Sequence, residues 1–161
     1  MIRVATSQDA DAIAAIYNYY IVNTVITFEE IEVNTEQMAN RIEKVSAKYP
    51  WLVYEHGGCV VGYAYASDWR ERSAYRFSAE STIYLDKDHG GRGIGMTLYS
   101  ELMRRLQAQG VHTVLGGIAL PNAASIALHE KLGFSKTAHL QQVGFKHERW
   151  IDVGYWQLYF A

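Results

Sequence analysis

The chain has 161 residues, of which 49% are hydrophobic and 20% charged, so it can bury a core and lacks the composition of a disordered chain. The formal net charge of −2 gives no general attraction to nucleic acid, and the single Cys59 excludes an intramolecular disulfide. No signal-peptide core or membrane-length apolar run is present. We expect one cytoplasmic domain over residues 1–161, without nucleic-acid or membrane partners.

The first fifty residues predict one strand and two helices. The β-type run MIRVAT precedes Thr6 and Asp9, which have the spacing of a capping box at the start of a helix. Asn34 and Gln37 repeat this spacing before a second amphipathic segment. We expect a loop over residues 21–33.

The middle of the chain predicts a hairpin and a third strand. WLVYE and CVVGYAYASDW flank the turn HGG, where Gly57 and Gly58 supply the positive φ angles of a tight turn. We expect Cys59 to be buried in its apolar strand. RFSAESTIYL follows a charged loop and is typical of a further strand.

The second half predicts two more helices and three more strands. Ile94, Leu98, Leu102 and Leu106 recur at helical spacing directly after a glycine-rich run. HTVLGGIAL is typical of a strand, NAASIALHEKLGF of a helix closed by Gly133, and the C-terminal stretch of paired strands. The order β-α-α-β-β-β-α-β-α-β-β indicates an α/β (α+β) fold.

The glycine-rich run DKDHGGRGIGMT lies between a predicted strand and helix. Free backbone N–H groups at a helix start favour a phosphate site, and the alternative is a turn that only reverses the chain. Gly90 and Gly95 have P-loop spacing, but Met96 stands where the P-loop lysine is required. The dinucleotide fingerprint fails because Met96 also replaces its last glycine.

The run RGIG, with a strand before it and an amphipathic helix after it, resembles the acyl-CoA pyrophosphate loop of the GCN5-related N-acetyltransferase (GNAT) superfamily. Gly93 and Gly95 fill the last two positions of its (Gln/Arg)-x-x-Gly-x-(Gly/Ala) motif, whereas Gly90 replaces the usual Gln or Arg. NTVITFE, YPWLV, AYRFSAESTIYL, LPNAAS, LHEKLGF and VGFKHERWIDVGYWQL are similar to the phosphinothricin N-acetyltransferase branch. The resemblance implies a GNAT fold, a mixed, mostly antiparallel twisted sheet flanked by helices.

The resemblance also implies acetyl-CoA as co-substrate and a set of contacts to it. Backbone groups of Ile83, Tyr84 and Leu85 would bind the acyl-pantetheine arm and polarise the thioester. The pyrophosphate would be held by the loop residues Gly91, Arg92, Gly93, Ile94, Gly95 and Met96. Asn122 matches an acyl-CoA-binding asparagine, and it is equally suited to cap the following helix.

Two residues carry the expected chemistry. Glu80 matches the catalytic carboxylate that deprotonates the amine, and its apolar neighbours favour a raised pKa. The alternative is an ion pair of Glu80 with a nearby arginine of the loop at 70–76. His129 stands where most family members have a tyrosine acid; it could protonate the thiolate, contact substrate, or only be hydrogen-bonded at the edge of the core.

For the substrate, the resemblance points to phosphinothricin, a glutamate-like amino acid whose acetylation confers herbicide resistance. Arg72 and Tyr75 would bind its acidic end and Phe28 would form a pocket wall, the alternative being a solvated charged loop. Lys146, His147 and Arg149 are further candidates, which could act across a dimer interface. The aromatic stretch RWIDVGYWQLYF implies a homodimer contact, unless its side chains pack within one core.

Other functions remain open at this stage. The enzymatic alternative is acetylation of methionine sulfone, methionine sulfoximine or another amino acid, and the alternative of another class is a non-catalytic acyl-CoA-binding sensor. The six histidines show no close metal-ligand spacing, so we assign no metal.

Overall fold

The computed structural model describes residues 1–161 as a seven-stranded sheet with helices on both faces. In chain order the elements are β1 (Ile2–Val4), α1 (Ala10–Asn23), α2 (Thr35–Ser46), β2 (Trp51–His56), β3 (Cys59–Asp68), β4 (Ser78–Leu85), α3 (Ile94–Ala108), β5 (Thr113–Ala119), α4 (Ala123–Lys131), β6 (Ser135–Lys146) and β7 (Arg149–Tyr159). The spatial order is β1-β2-β3-β4-β5-β7-β6, antiparallel except between β4 and β5. The predicted fold class and order of elements are confirmed.

The predicted local signals form as expected, with two corrections. Asn34 and Gln37 exchange hydrogen bonds of 2.8 and 2.9 Å at the start of α2. Helix α1 continues to Asn23, so the prediction of a loop from residue 21 was wrong, because Ile21 is buried on the inner face of this helix. Cys59 is exposed, not buried, because it directly follows the β2–β3 turn.

The core has one cluster on each face of the sheet. Residues alternate along β2, so that Leu52 packs with the buried leucines of α3 while its neighbour Val53 packs with α1 and α2. No helix of the structure has the length and apolar content needed to cross a membrane. Strand β4 is the middle strand of the sheet, and helices pack on both faces of the sheet around it.

The sheet opens between β4 and β5. These parallel strands pair only over Ser78–Glu80, after which β4 continues beside β3 to Leu85 and β5 continues beside β7 to Ala119. The edge of β4 that faces β5 has no strand partner from Ser81 to Leu85. Backbone groups on such an edge are free to bind a ligand.

Candidate active site

A cleft of about 510 Å³ occupies the gap between β4, the glycine loop and α4. Gly91 and Gly93 have φ angles of +74° and +78°, a left-handed conformation that glycine adopts without strain. Gly93 immediately precedes α3, whose first N–H groups have no acceptor within the helix. The glycine spacing therefore builds the free backbone donors that the sequence predicts.

Eight of the ten predicted cofactor residues line this cleft. They are Ile83, Tyr84, Leu85, Gly91, Gly93, Gly95, Met96 and Asn122. The other two are placed differently: Ile94 is buried in the core and Arg92 is an exposed residue of the loop. The side-chain oxygen of Asn122 accepts the Ser125 N–H at 3.2 Å, so this residue caps α4 while also lining the cleft.

A second cavity of about 270 Å³ adjoins the cleft and holds both predicted catalytic residues, Glu80 and His129, together with Phe28. The two spaces share five lining residues, which are Ile26, Ile83, Tyr84, Asn122 and Ser125. A ligand lying along β4 in the cleft would thus end beside the carboxylate-bearing cavity.

Glu80 is partly buried, and its carboxylate makes no hydrogen bond and no ion pair within 4.0 Å, so it does not pair with an arginine. Burial raises the pKa of its carboxyl group, and the positive charge of Arg70 partly opposes this rise. The Arg70 guanidinium lies 4.9 Å from the Trp69 ring, which contacts the Tyr155 ring of the cavity wall at 5.4 Å. Glu80 is therefore a free carboxylate with raised basicity.

His129 is buried and belongs to a chain of hydrogen bonds. Its Nδ1 lies 2.7 Å from the Ser125 carbonyl oxygen and so carries the proton, which leaves Nε2 to accept from the Tyr99 hydroxyl at 3.1 Å. The Tyr99 oxygen in turn lies 2.5 Å from Ser81 Oγ. Burial lowers the pKa of His129 and raises that of Tyr99, so the imidazole is neutral and the phenol protonated at neutral pH.

The position of the His129 ring also requires a glycine at position 116 of the neighbouring strand β5. A Cβ atom at Gly116 of β5 would lie 2.6 Å from His129 Nε2, so only glycine allows the ring this close to the strand. Sequence reasoning missed Tyr99 and Ser81 as cavity residues. The available signals are a hydroxyl group in the apolar stripe of α3, beside Leu98, and a serine directly after Glu80.

The predicted substrate-binding residues do not all line the same cavity. Phe28 lines the Glu80 cavity, but the exposed Arg72 and Tyr75 line a neighbouring cleft with residues 69–71. Arg70, which the resemblance does not single out, is the arginine whose charge acts on Glu80. Lys146 is buried and bonded to the Thr27 carbonyl oxygen at 2.8 Å, outside the residues that line either space.

No group of three or more His, Cys, Asp or Glu side chains is arranged to hold a metal ion. A splayed sheet, a glycine-built anion site and an unpaired carboxylate where the two spaces meet are the parts that an acyl-CoA-dependent acyltransferase requires. The class of protein that fold and site define is therefore an acyltransferase.

Comparison with known proteins gives the family. Residues 2–154 match the family "Acetyltransferase (GNAT) domain". The phosphinothricin N-acetyltransferase of Streptomyces viridochromogenes is 40% identical over 97% of this chain and 85% of its own length. The L-methionine sulfoximine/L-methionine sulfone acetyltransferase of Salmonella typhimurium is 39% identical over 98% of this chain and 92% of its own length.

Solved structures agree with these relatives. A phosphinothricin acetyltransferase of the GNAT superfamily from Sinorhizobium meliloti, in complex with acetyl-CoA, superimposes with a TM-score of 0.96 at 39% identity, covering all of this chain and 88% of that one. The chain belongs to the GNAT acetyltransferase family. The predicted family and N-acetyltransferase activity are confirmed, and the predicted cofactor is the one bound in the Sinorhizobium structure.

Proposed function

We propose that the chain, acting as one catalytic domain over residues 1–161, transfers the acetyl group of acetyl-CoA to the α-amino group of phosphinothricin or a similar glutamate-like amino acid. The observation that carries this proposal is the partly buried Glu80, unpaired in a cavity that opens onto the glycine-loop cleft. The relatives named for phosphinothricin support the substrate class.

The cleft supplies the acetyl-CoA site in this proposal. Acetyl-CoA, when bound, provides a thioester that an amine can attack. The free N–H groups of Gly91 to Met96 are suited to its pyrophosphate, and the unpaired edge of β4 at Ile83 and Tyr84 to its amide-bearing arm. The Leu85 carbonyl already accepts the Tyr20 hydroxyl at 2.5 Å, so the stretch of the edge without a partner ends at Tyr84.

The cavity supplies the proton transfers. The amine nitrogen must lose a proton to attack, and Glu80 accepts it, directly or through water. A C–N bond forms, the C–S bond breaks, and the departing thiolate requires a donor. Because His129 Nε2 carries no proton and accepts from the Tyr99 hydroxyl, neither group is free to supply it, and the thiolate takes its proton from water while His129 and Tyr99 shape the cavity wall.

At the acidic end of the substrate, Phe28 forms a wall of the Glu80 cavity, while Arg72 and Tyr75 recognise the phosphinate from the separate cleft of the β3–β4 loop. A second candidate is methionine sulfone or methionine sulfoximine, because the Salmonella relative named for these compounds is as similar as the phosphinothricin enzyme. The deciding experiment measures thiol release from acetyl-CoA with phosphinothricin, methionine sulfone and glutamate in turn. We expect the highest kcat/KM for phosphinothricin; a preference for the sulfone would move the chain to the second candidate.

We also propose a cytoplasmic homodimer whose activity confers phosphinothricin resistance. Phe145 and Trp150 are exposed on the β6–β7 hairpin with ring centroids 4.8 Å apart, and Val143 is exposed beside them. Trp156 of the same aromatic stretch is instead buried within this chain. Sedimentation at micromolar concentration should show a dimer, and a Trp150→Ser variant should weaken it; a monomeric wild type would refute the proposal.

A further inference from the structure

Lys146 is the one lysine with a fully buried side chain, with 2% of its surface exposed at the end of β6. Its Nζ donates to the Thr27 carbonyl oxygen at 2.8 Å, across 119 positions of sequence. A buried ammonium group is costly unless it is bonded, so this contact fixes the two segments relative to each other. Burial lowers the pKa of Lys146, and the charges of Glu29 and Glu30 oppose the change.

The segment that Lys146 contacts is the loop from Thr24 to Asn34, which joins α1 to α2 and is called the α1–α2 loop below. It contributes Ile26, Thr27 and Phe28 to the wall of the Glu80 cavity. The Lys146 contact is the only hydrogen bond that joins this loop to the β6–β7 hairpin. Hydrogen bonding between the cavity wall and that hairpin therefore rests on one ammonium group.

The other side of the α1–α2 loop is held by the helices that it connects. The Tyr17 hydroxyl lies 2.8 Å from Thr27 Oγ1 and also bonds the Glu29 carboxylate. Arg41 of α2 binds that carboxylate through two nitrogens, at 2.8 and 2.7 Å. These bonds keep the loop on the helices but do not direct it toward β6.

A second contact shows that the loop is fitted to β6. A Cβ atom at Gly144 would lie 2.4 Å from two carbons of the Phe28 ring, so the ring packs directly on the backbone of that glycine. Gly144 and Lys146 are both buried and lie two positions apart, on the same face of β6. One face of this strand thus receives both the aromatic ring and the loop carbonyl.

We propose that Lys146 is a positioning residue that holds the α1–α2 loop, and with it Phe28, against β6, and so sets the affinity of the cavity for its amino-acid substrate. The assignment of the cavity to the amino acid rests on the function proposed above. The placement of the loop does not, because it follows from the contacts of the protein without ligand. Lys146 touches neither the reacting atoms nor the glycine loop.

The test replaces Lys146 with methionine, which has a similar length and no donor, and measures amide hydrogen exchange over residues 24–34 without ligand. Because the loop would lose a charge-assisted hydrogen bond, exchange there should accelerate roughly 10–100-fold. The KM for the amino acid should rise by about tenfold while kcat and the KM for acetyl-CoA stay within about twofold. Lys146→Arg should restore part of the protection, and Lys136→Met, an exposed lysine of the same strand, should change nothing.

Unchanged exchange in Lys146→Met, or a loss of kcat with no split between the two KM values, would overturn the proposal. Should this variant not fold, Lys146→Gln replaces it, because the shorter neutral side chain also loses the ammonium contact with Thr27, and unchanged loop exchange there would overturn the proposal equally. If the wild type acetylates no amino acid, the proposed function fails, while the exchange measurements still decide the role of Lys146.

Discussion

The cleft and the cavity adjoin each other but are built from different parts of the chain. The cleft presents main-chain groups at the start of α3, where Gly91 and Gly93 adopt positive φ angles over a few consecutive residues. The cavity instead brings together side chains from separate elements, among them Glu80 on β4, Tyr99 on α3 and His129 on α4. Backbone geometry should therefore decide cofactor binding, whereas side-chain chemistry should decide rate and substrate choice.

The largest effect on catalysis without an effect on cofactor binding is expected for the change Glu80→Gln. It keeps the shape of the side chain and removes the proton acceptor, so kcat should fall by about 10²–10⁴-fold near neutrality. Acetyl-CoA binding, measured by calorimetry, should be unchanged because Glu80 does not line the cleft. Glu36→Gln, an exposed carboxylate on α2, serves as control. An undiminished rate would show that Glu80 is not the base.

The second effect concerns the arginines of the β3–β4 loop. A charge-assisted contact contributes about 1.5–3 kcal/mol, so Arg72→Ala should lower kcat/KM for phosphinothricin roughly 10–100-fold. Methionine sulfone, which is neutral at that end, should lose less. Arg70→Ala is the matched comparison, because Arg70 is the arginine whose charge acts on the Glu80 carboxyl group. Equal losses for all substrates in Arg72→Ala would remove this residue from substrate recognition.

The same division explains what the sequence could predict. The glycine loop, the capping box at Asn34 and the turn at Gly57 depend on residues within a few positions, so composition and spacing indicate them directly. The hydrogen bond from Tyr99 to His129 joins two helices 30 positions apart and depends on how both pack on the sheet. No local pattern contains that information.

The two arginines of the β3–β4 loop illustrate what the sequence alone does not predict about the site. Arg70 and Arg72 are two positions apart in a charged loop, and family resemblance favours Arg72. In the structure it is Arg70 whose charge acts on Glu80, and its neighbour Trp69 contacts Tyr155 of β7. Trp69 and Tyr155 are 86 positions apart in the chain, so no local sequence pattern indicates their contact. Sequence alone could name the loop but not the arginine.

Backbone control of the cleft can be tested with a pair of glycines. Gly93 and Gly58 have φ angles of +78° and +79°, and a Cβ atom at either meets no atom within 4 Å. Valine at either position should therefore cost similar stability, about 1–2 kcal/mol for the left-handed conformation. Only Gly93→Val should weaken acetyl-CoA binding, by about tenfold if the loop relaxes to relieve that strain. Equal binding by both variants would contradict a backbone-built site.

The smallest expected effect is a shift in the pH dependence of kcat/KM. Glu80 must be unprotonated to accept a proton, so the rate should fall as the pH drops through its pKa, which burial raises. The positive charge of Arg70 lowers that pKa, so Arg70→Gln should move the acidic limb to higher pH. One pKa unit corresponds to a factor of ten, and a shift smaller than this changes the rate by less than about tenfold.

Arg72→Gln is the control for this shift, since Arg72 lies in the same loop but Arg70 is the arginine whose charge acts on Glu80. The limb should stay in place in Arg72→Gln and be absent from the residual activity of Glu80→Gln. A limb that moves equally in both arginine variants would mean that the loop acts on Glu80 through its total charge. A limb that persists without Glu80 would assign the titration to another group and leave the cavity without its base.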